Sequence, residues 1–545
     1  MPGGFIGVDV FFVISGYLIT AHLLREAIST GRVRLARFWA RRARRLLPAS
    51  MLVLVVCAGA VLALMPMGQW QVALRQIAAS GFYLVNWQLL SESTDYFNSA
   101  NSPSPVTHYW SLSVEEQFYI VWPLLILLAL WIARRLKRRS TRVITVILAL
   151  VFAASLLYSI ALTASEPSAA YFSTFTRAWE FALGGLLALL IGERSLPGRW
   201  AVWGSWLGWL GLFASLVLIT DATPFPGTAA LLPVVATALV IGAGSAAPAP
   251  NLNAVTSFAP LQFVGGISYS LYLWHWPLII LIPYVIGRDI GTVWRLAILI
   301  ASILLAWMSK RFVEDPFRTS SVFARKPAWV TLTATAGAMV LILGITLPPT
   351  FAVDNSRESV GSELADLALA PPACFGALAA FPGADCPDSH TLAFPDVLLL
   401  SNTAQGPAVP PLEEVCSEPA DTPLVRECVF GPAQADATVT VAVVGDSHAL
   451  HYVAAMRKLA FEHGWRVKMV TKPGCPPIID PAVLPLWAPE SVSECGSWAE
   501  QAVQHVAADK EVDAVVFSSI SREYGFADGT PPETQDISAS YVATW

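Results

Sequence analysis

AWVTLTATAGAMVLILGITLPPTFAVDNSRESV, residues 328–360, holds the point at which the chain changes character. Residues 328–350 are apolar and uncharged, enough to cross a bilayer, which needs about 20 such residues. Asp354, Arg357 and Glu358 then follow within a few positions. Upstream lies a succession of similar apolar runs. Downstream, Pro, Asp, Glu and Cys accumulate, and no run is long enough to span. The whole chain of 545 residues is 55% hydrophobic and 13% charged, about half the roughly 25% charge of soluble domains. A single soluble globule is excluded, and so is a disordered chain, which needs few apolar residues. A net charge of −5 argues against nucleic acid as the main partner. The 20 Trp and 26 Phe suit interfacial aromatic belts.

Working outward, ten spans are expected, near 5–24, 49–67, 109–132, 143–164, 176–192, 201–220, 226–246, 263–286, 292–313 and 328–350. The stretch 70–90 is apolar but interrupted by Arg75, Gln76 and Asn86. Basic residues gather on the cytoplasmic side. The loops RVRLARFWARRARR (32–45), ARRLKRRSTR (133–142) and KRFVEDPFRTSSVFARK (310–326) are therefore placed inside. An even number of spans must separate the first two, so 70–90 is re-entrant or lies at the outer interface. The last span exits outward, and residues 351–545 are expected to be extracytoplasmic. Cysteine usage agrees. Cys374, Cys386, Cys416, Cys428, Cys475 and Cys495 all lie in that portion, as disulfides in an oxidising compartment would. Nearest-neighbour pairing gives 374–386, 416–428 and 475–495, one of about 15 connectivities. A zinc site is the lesser alternative, since no CxxC occurs.

Residues 351–435 read as a Pro- and Cys-containing linker. From 438 a regular pattern begins: TVTVAVV (438–444), GDSH (445–448), a helical stretch ending at Gly464, then WRVKMVT (465–471), a helix near 494–509 and DAVVFS (513–518). Strands alternating with helices imply a parallel sheet in an α/β layer fold. Ser447 falls between a strand end and a helix start, where open α/β sheets place their sites. Backbone N–H groups there can hold an oxyanion. Serving only as a helix cap is the ordinary alternative for Ser447. Gly445 permits a tight turn, and Asp446 can order the loop.

Ionisable residues within spans are functional candidates. Asp9 lies near the outer end of the first span, and Glu115 and Glu116 near the outer end of 109–132. Arg177 and Glu180 are three residues apart, so they share a helix face and can neutralise each other. Ser268, Tyr272 and His275 also share a face, expected to point toward the bundle. Helix–helix hydrogen bonding is the ordinary role for such groups. The run RRARRLLP (41–48) either sets topology beside anionic lipid or binds a cytoplasmic polyanion such as coenzyme A.

Together, PGGFIGVDVFFVISGYLIT, FWARRARRLLPA, HYWSLSVEEQFYIVWP and SYSLYLWHWP resemble the acyltransferase type 3 family of membrane enzymes. The resemblance covers about 1–320. The linking span 328–350 and residues 436–545 resemble the O-acetyltransferases that carry a fused SGNH domain and modify lipopolysaccharide or peptidoglycan. It implies a polytopic α-helical bundle followed by an extracytoplasmic α/β SGNH-like (flavodoxin-like) domain. Arg42 and Arg45, or the offset pair Arg41 and Arg44, match the family's Arg-x-x-Arg motif, and Glu115 and Glu116 match its SxEEQF block. Gly-Asp-Ser at 445–447 matches the first SGNH block, and Gly474 in KPGCPP the second. The family's first span, with its His, and the terminal Asp-x-x-His, which supplies the base, have no counterpart here, as if the chain were cut at both ends. The function implied is transfer of an acyl group, acetyl above all, from cytoplasmic acyl-CoA to a cell-surface polysaccharide. Acyl-CoA is then a substrate, no cofactor or metal is bound, and the protein sits in the plasma membrane. A transporter of a lipid-linked sugar and a membrane-anchored SGNH esterase are the rival classes.

Overall fold

The computed structural model describes residues 2–30, 32–93, 103–191, 198–220, 222–244, 252–287, 290–319, 326–369, 424–479, 483–485, 492–519 and 524–526. The chain divides into two compact units, Met1–Asn402 and Thr403–Trp545.

Among the described residues of the first unit, the regular structure is all helical. Its elements are α1 (Gly7–Thr30), α2 (Leu35–Leu64), α3 (Met67–Gly81), α4 (Val85–Ser93), α5 (Tyr109–Arg135), α6 (Ser140–Ser165) and the short α7 (Pro167–Phe172). They continue with α8 (Ala178–Ile191), α9 (Gly198–Leu218), α10 (Leu231–Ala243), α11 (Ala259–Ile286), α12 (Thr292–Ser309), α13 (Asp315–Thr319) and α14 (Ala328–Leu369). Among the described residues, eight helices are long and apolar enough to cross a membrane: α1, α2, α5, α6, α9, α11, α12 and α14. The runs read as spans at 176–192 and 226–246 form shorter helices, α8 with 14 residues and α10 with 13. Each is about 20 Å long, against a hydrocarbon core of about 30 Å. A non-helical segment enters each of them. Before α8, the Thr176 hydroxyl donates to the carbonyls of Ala170 and Ser173 at 2.7 and 2.8 Å. Before α10, the Gly227 N–H donates to Thr163 at 3.0 Å. Irregular backbone is tolerated at such depth when protein groups satisfy it.

The stretch 70–90 is a helical hairpin, α3 and α4, broken at Tyr83, where φ is +57°. Asp354 on α14 binds Gln71 near the start of α3 and lies 3.8 Å from Arg75. Gly81 at its end lies against Ile342, a turn or more deeper along α14. The Gln117 side chain, two turns into α5, donates to the Tyr83 carbonyl at 2.9 Å and to Asn86 at 2.8 Å. The hairpin thus packs against both α5 and α14.

Close helix packing depends on small residues. A Cβ on Gly16 of α1 would meet the Phe181 carbonyl oxygen of α8 at 2.2 Å, and one on Gly184 would meet the Val13 oxygen at 2.1 Å. Proline shapes the bundle as well. Pro123 in α5 removes the N–H that would bind the Tyr119 carbonyl. The indole of Trp39 on α2 takes that carbonyl instead, at 3.0 Å, and so ties α2 to α5.

The second unit holds a four-stranded sheet in the order β1–β3–β2–β5, with β1 at Glu427–Phe430, β2 at Val439–Gly445, β3 at Trp465–Thr471 and β5 at Ala514–Ser518. A separate pair is formed by β4 (Val483–Pro485) and β6 (Tyr524–Phe526). β2 runs parallel to both β3 and β5, while β1 is an antiparallel edge. The sheet thus starts inside the stretch read as linker, because Glu427–Phe430 pairs with Val467–Val470. The helices are α15 (Ser447–Leu450), α16 (Val453–His463) and α17 (Val492–Ala508). Cys475 and Cys495 are bonded, with Cα atoms 5.0 Å apart. Cys428 is also disulfide-bonded. Cys374, Cys386 and Cys416 lie outside the described residues. Lys468 on β3 binds Asp509, and this hydrogen bond holds the Asp509 carboxyl below its ordinary range.

Two outcomes follow from this packing. Gly184→Ala should destabilise the bundle by about 1–3 kcal/mol through overpacking, whereas Gly59→Ala, with nothing within 4 Å, should be near neutral; thermal unfolding in detergent separates them. A depressed carboxylate adds stability above its unfolded value and loses it as pH falls through its folded value. Asp509→Asn should therefore speed hydrogen exchange of β2 and β3 at neutral pH, with the difference shrinking once pH falls below the usual carboxylate range.

Candidate functional site

The Trp39–Tyr119 clamp sets the next turn of α2. Arg42 lies with its guanidinium 4.3 Å from the centre of the Tyr119 ring. Arg42 and Arg45 both act electrostatically on Glu115. Glu115 is buried and accepts a hydrogen bond from Ser15 of α1 at 2.8 Å. Ser15 and the Tyr119 hydroxyl are 3.3 Å apart. Glu116, half-buried, is also within electrostatic reach of Arg42.

From Glu115 a polar line climbs one face of α5. His108, Ser111 and Glu115 are spaced i, i+3 and i+7, so their side chains stack on that face. Ser111 lies 2.5 Å from the Tyr272 hydroxyl, which donates to the His108 carbonyl at 2.7 Å. The His108 ring is buried beside Tyr109, Tyr272, His275 and Trp276, with centroids 4.9, 5.2, 5.5 and 6.3 Å away. His275 Nδ1 lies 2.7 Å from the Tyr272 carbonyl. A carbonyl only accepts, so Nδ1 carries the proton and Nε2 keeps its lone pair.

Tyr272 and His275 line a cleft of about 760 Å³ between α11 and α12, together with Ser268 and Arg295. The shared face of Ser268, Tyr272 and His275 is present, but Ser268 corrects the expectation that all of it points toward the bundle. Its hydroxyl donates to Gly265 of its own helix at 2.9 Å, and the residue is exposed. Helix α11 turns Ser270 inward instead, where it donates to the buried Glu314. Arg45 is within electrostatic reach of Glu314 as well.

Arg177 and Glu180 do pair, at 3.4 Å, but the shorter contact is to Asp9, at 2.7 Å. All three are almost fully buried, joining the start of α1 to the start of α8. The guanidinium sits among Trp110, Tyr171 and Phe225, 5.5, 5.3 and 5.1 Å from their ring centres. Buried guanidinium is well served by such faces. This cluster anchors two helices and does not join the line through Glu115.

In the second unit, Ser447 follows the central strand β2. The helix cap is Asp446, whose Oδ1 accepts the His448 N–H at 2.8 Å. Ser447 is therefore not the cap, the ordinary role weighed for it. The other Asp446 oxygen accepts from Ser519, just past β5, at 2.7 Å. Gly445 fits because a Cβ there would meet the Ser518 oxygen at 1.9 Å. Gly474 lies in the turn after β3 with φ of +74°, a conformation suited to glycine, and its neighbour Cys475 is tied to α17. Asp446, Ser447, Gly474 and Ser519 thus gather along the carboxyl edge of the sheet. His448 Nδ1 stands 3.5 Å from Asp446, and the His448 ring lies 5.0 Å from that of His451.

The Acyltransferase domain family matches residues 2–311. The chain belongs to the acyltransferase type 3 family. A second match, to the SGNH domain found fused to such acyltransferase domains, covers residues 415–544. The peptidoglycan O-acetyltransferase OatA of Listeria monocytogenes is 34% identical over 330 residues, covering 58% of this chain and 51% of the relative. The O-acetyltransferase OatA of Staphylococcus aureus is 32% identical over 387 residues, covering 67% of this chain and 60% of the relative. The chain thus spans about half to three-fifths of the length of these relatives. No solved structure matches it. His108, Ser111, Tyr119 and Glu314 escaped the sequence reading. The spacing of His108 and Ser111 to Glu115 was a usable signal, while Glu314 sits in a basic loop and gives none.

Removing Arg177 leaves two buried carboxylates without their cation, which costs about 3–5 kcal/mol. Arg177→Met should lower thermal stability in detergent accordingly, and adding Asp9→Asn and Glu180→Gln should restore much of it.

Proposed function

We propose that this protein moves an acetyl group from cytoplasmic acetyl-CoA to hydroxyls of an extracytoplasmic cell-wall glycan, peptidoglycan by analogy with the named relatives. The observation that carries this reading is the polar line from Arg42 and Arg45, through Glu115 and Ser111, to Tyr272, His108 and His275. The basic loops support a cytoplasmic position for the arginine end. The second unit, with its disulfides, lies outside. Acetyl-CoA is a large anion confined to the cytoplasm, so the acyl group must cross the bundle without its carrier.

The arginine end attracts the anionic donor, as guanidinium groups do. The Nε2 lone pair of His275 attacks the thioester carbonyl. The C–S bond breaks, CoA leaves as its thiolate and takes up a proton, and acetyl remains on nitrogen. A hydroxyl oxygen then attacks the acetyl carbon, an ester C–O bond forms, the C–N bond breaks, and the hydroxyl proton is released. That hydroxyl belongs to the glycan directly or to Ser447. In the second case the acetyl-serine ester passes its group to the glycan, and the Ser447 oxygen recovers a proton. Tyr272 fixes the His275 tautomer through its carbonyl. Glu115 balances the arginine charge in the bundle.

Labelled acetyl-CoA supplied to the cytoplasmic face of vesicles should place label on an external glycan. His275→Ala should lower that transfer by about 10²-fold or more. Ser447→Ala should either match it or leave transfer intact, which decides between the two acceptor routes. No transfer by correctly inserted protein would overturn the proposal.

A further inference from the structure

The arginine run divides between two faces. Arg42 turns inward, over Tyr119. Arg41 turns into a separate pocket of about 420 Å³ at the basic end, between the last turns of α1 and the first turns of α2. That volume falls within the roughly 300–1,000 Å³ of small-molecule sites. Its walls come from two helix faces. α1 contributes His22, Arg25 and Glu26, and α2 with its cap residue contributes Arg34, Arg37 and Arg41 at i, i+3 and i+7. Four guanidinium groups thus converge against one carboxylate. Glu26 is already engaged: its carboxylate accepts the Arg34 backbone N–H at 3.2 Å and stands 3.8 Å from Arg41. Arg41 also donates to His22 Nε2 at 2.9 Å, which holds its fork across the pocket.

The same place is the start of a 30-residue helix. The first turn of α2 has no acidic residue, and Arg34 at its cap makes no side-chain capping bond. The positive end of the helix dipole therefore adds to the arginine charge. Residues that only fix topology have no need to line one concave face.

We propose that this pocket binds the phosphorylated nucleotide end of the acyl donor, apart from the line that handles the acyl end. The proposal rests on the donor reading given above. It takes a ligand with at least two phosphate groups, one for each helix face. Anionic lipid headgroups share that chemistry, and the test separates the two sources.

Binding of adenosine 3′,5′-bisphosphate, which lacks the acyl and thiol portion, is measured by calorimetry on the full chain in neutral detergent. The wild type should bind it, and Arg25→Gln/Arg37→Gln should weaken binding by about tenfold or more, since each loses a charge-assisted bond. Arg25→Lys/Arg37→Lys should retain most of it, and melting curves verify that both variants fold. Equal affinity in the wild type and the glutamine variant, or no binding by the wild type, overturns the pocket. In nanodiscs, affinity should be similar with phosphatidylcholine alone and with phosphatidylglycerol added. Loss of the probe on adding phosphatidylglycerol assigns the pocket to lipid and overturns the nucleotide. The two readings fail separately: bisphosphate binding without acetyl transfer leaves the pocket standing, and acetyl transfer without bisphosphate binding leaves the enzyme without it.

Discussion

A polar atom inside a bilayer has to find its partner within the protein. The hydrocarbon core offers no water, and an unpaired backbone or charged group there is costly. The arrangement of this bundle follows from that constraint. Pro123 frees a carbonyl, and Trp39 from another helix takes it. Arg177 enters the buried region with two carboxylates and three aromatic faces around it. The broken helix pair α3–α4 is held by Gln117, whose amide reaches two of its groups. The first two repairs join helices far apart in sequence, so these polar residues fix which helices touch.

The same constraint separates structure from chemistry. Asp9, Arg177 and Glu180 offset one another's charge in a buried cluster. The line from Arg42 to His275 is different, because it runs between a basic end and a cleft beside α12. Along it, partners change from guanidinium to carboxylate to hydroxyl to imidazole. That order suits a path in which charge is handled at one end and a neutral acyl group at the other. In the second unit the sheet does comparable work. Three parallel strand ends bring Gly445, Thr471 and Ser518 level, and the residues just beyond them form the edge where Ser447 sits.

Much of this was legible in the sequence, for reasons that can be stated. Long apolar runs announce spans because thickness sets length. TVTVAVVGDS announces a strand followed by a site because a β-branched run stops at a glycine. Apolar count was less informative at 176–192 and 226–246, where the helices are 14 and 13 residues long and a non-helical segment precedes each. The edge strand Glu427–Phe430 was hidden because antiparallel pairing to β3 needs only four residues and leaves no periodicity. Asp9 and Arg177 lie 168 residues apart, and no local pattern predicts that they meet. Ser268 and Ser270 differ only in which side of α11 they face, and the packing of α12 and Glu314 decides that.

The separation of a donor end from an acceptor end across one bilayer is tested most directly by labelling single cysteines with a membrane-impermeant maleimide in oriented vesicles. Cysteine at Lys137, beside the basic loop after α5, and at Tyr452, beside Ser447, are the two reporters. The account predicts that the first reacts only when the cytoplasmic face is outward and the second only when it is inward. Reaction of both from the same side would contradict it.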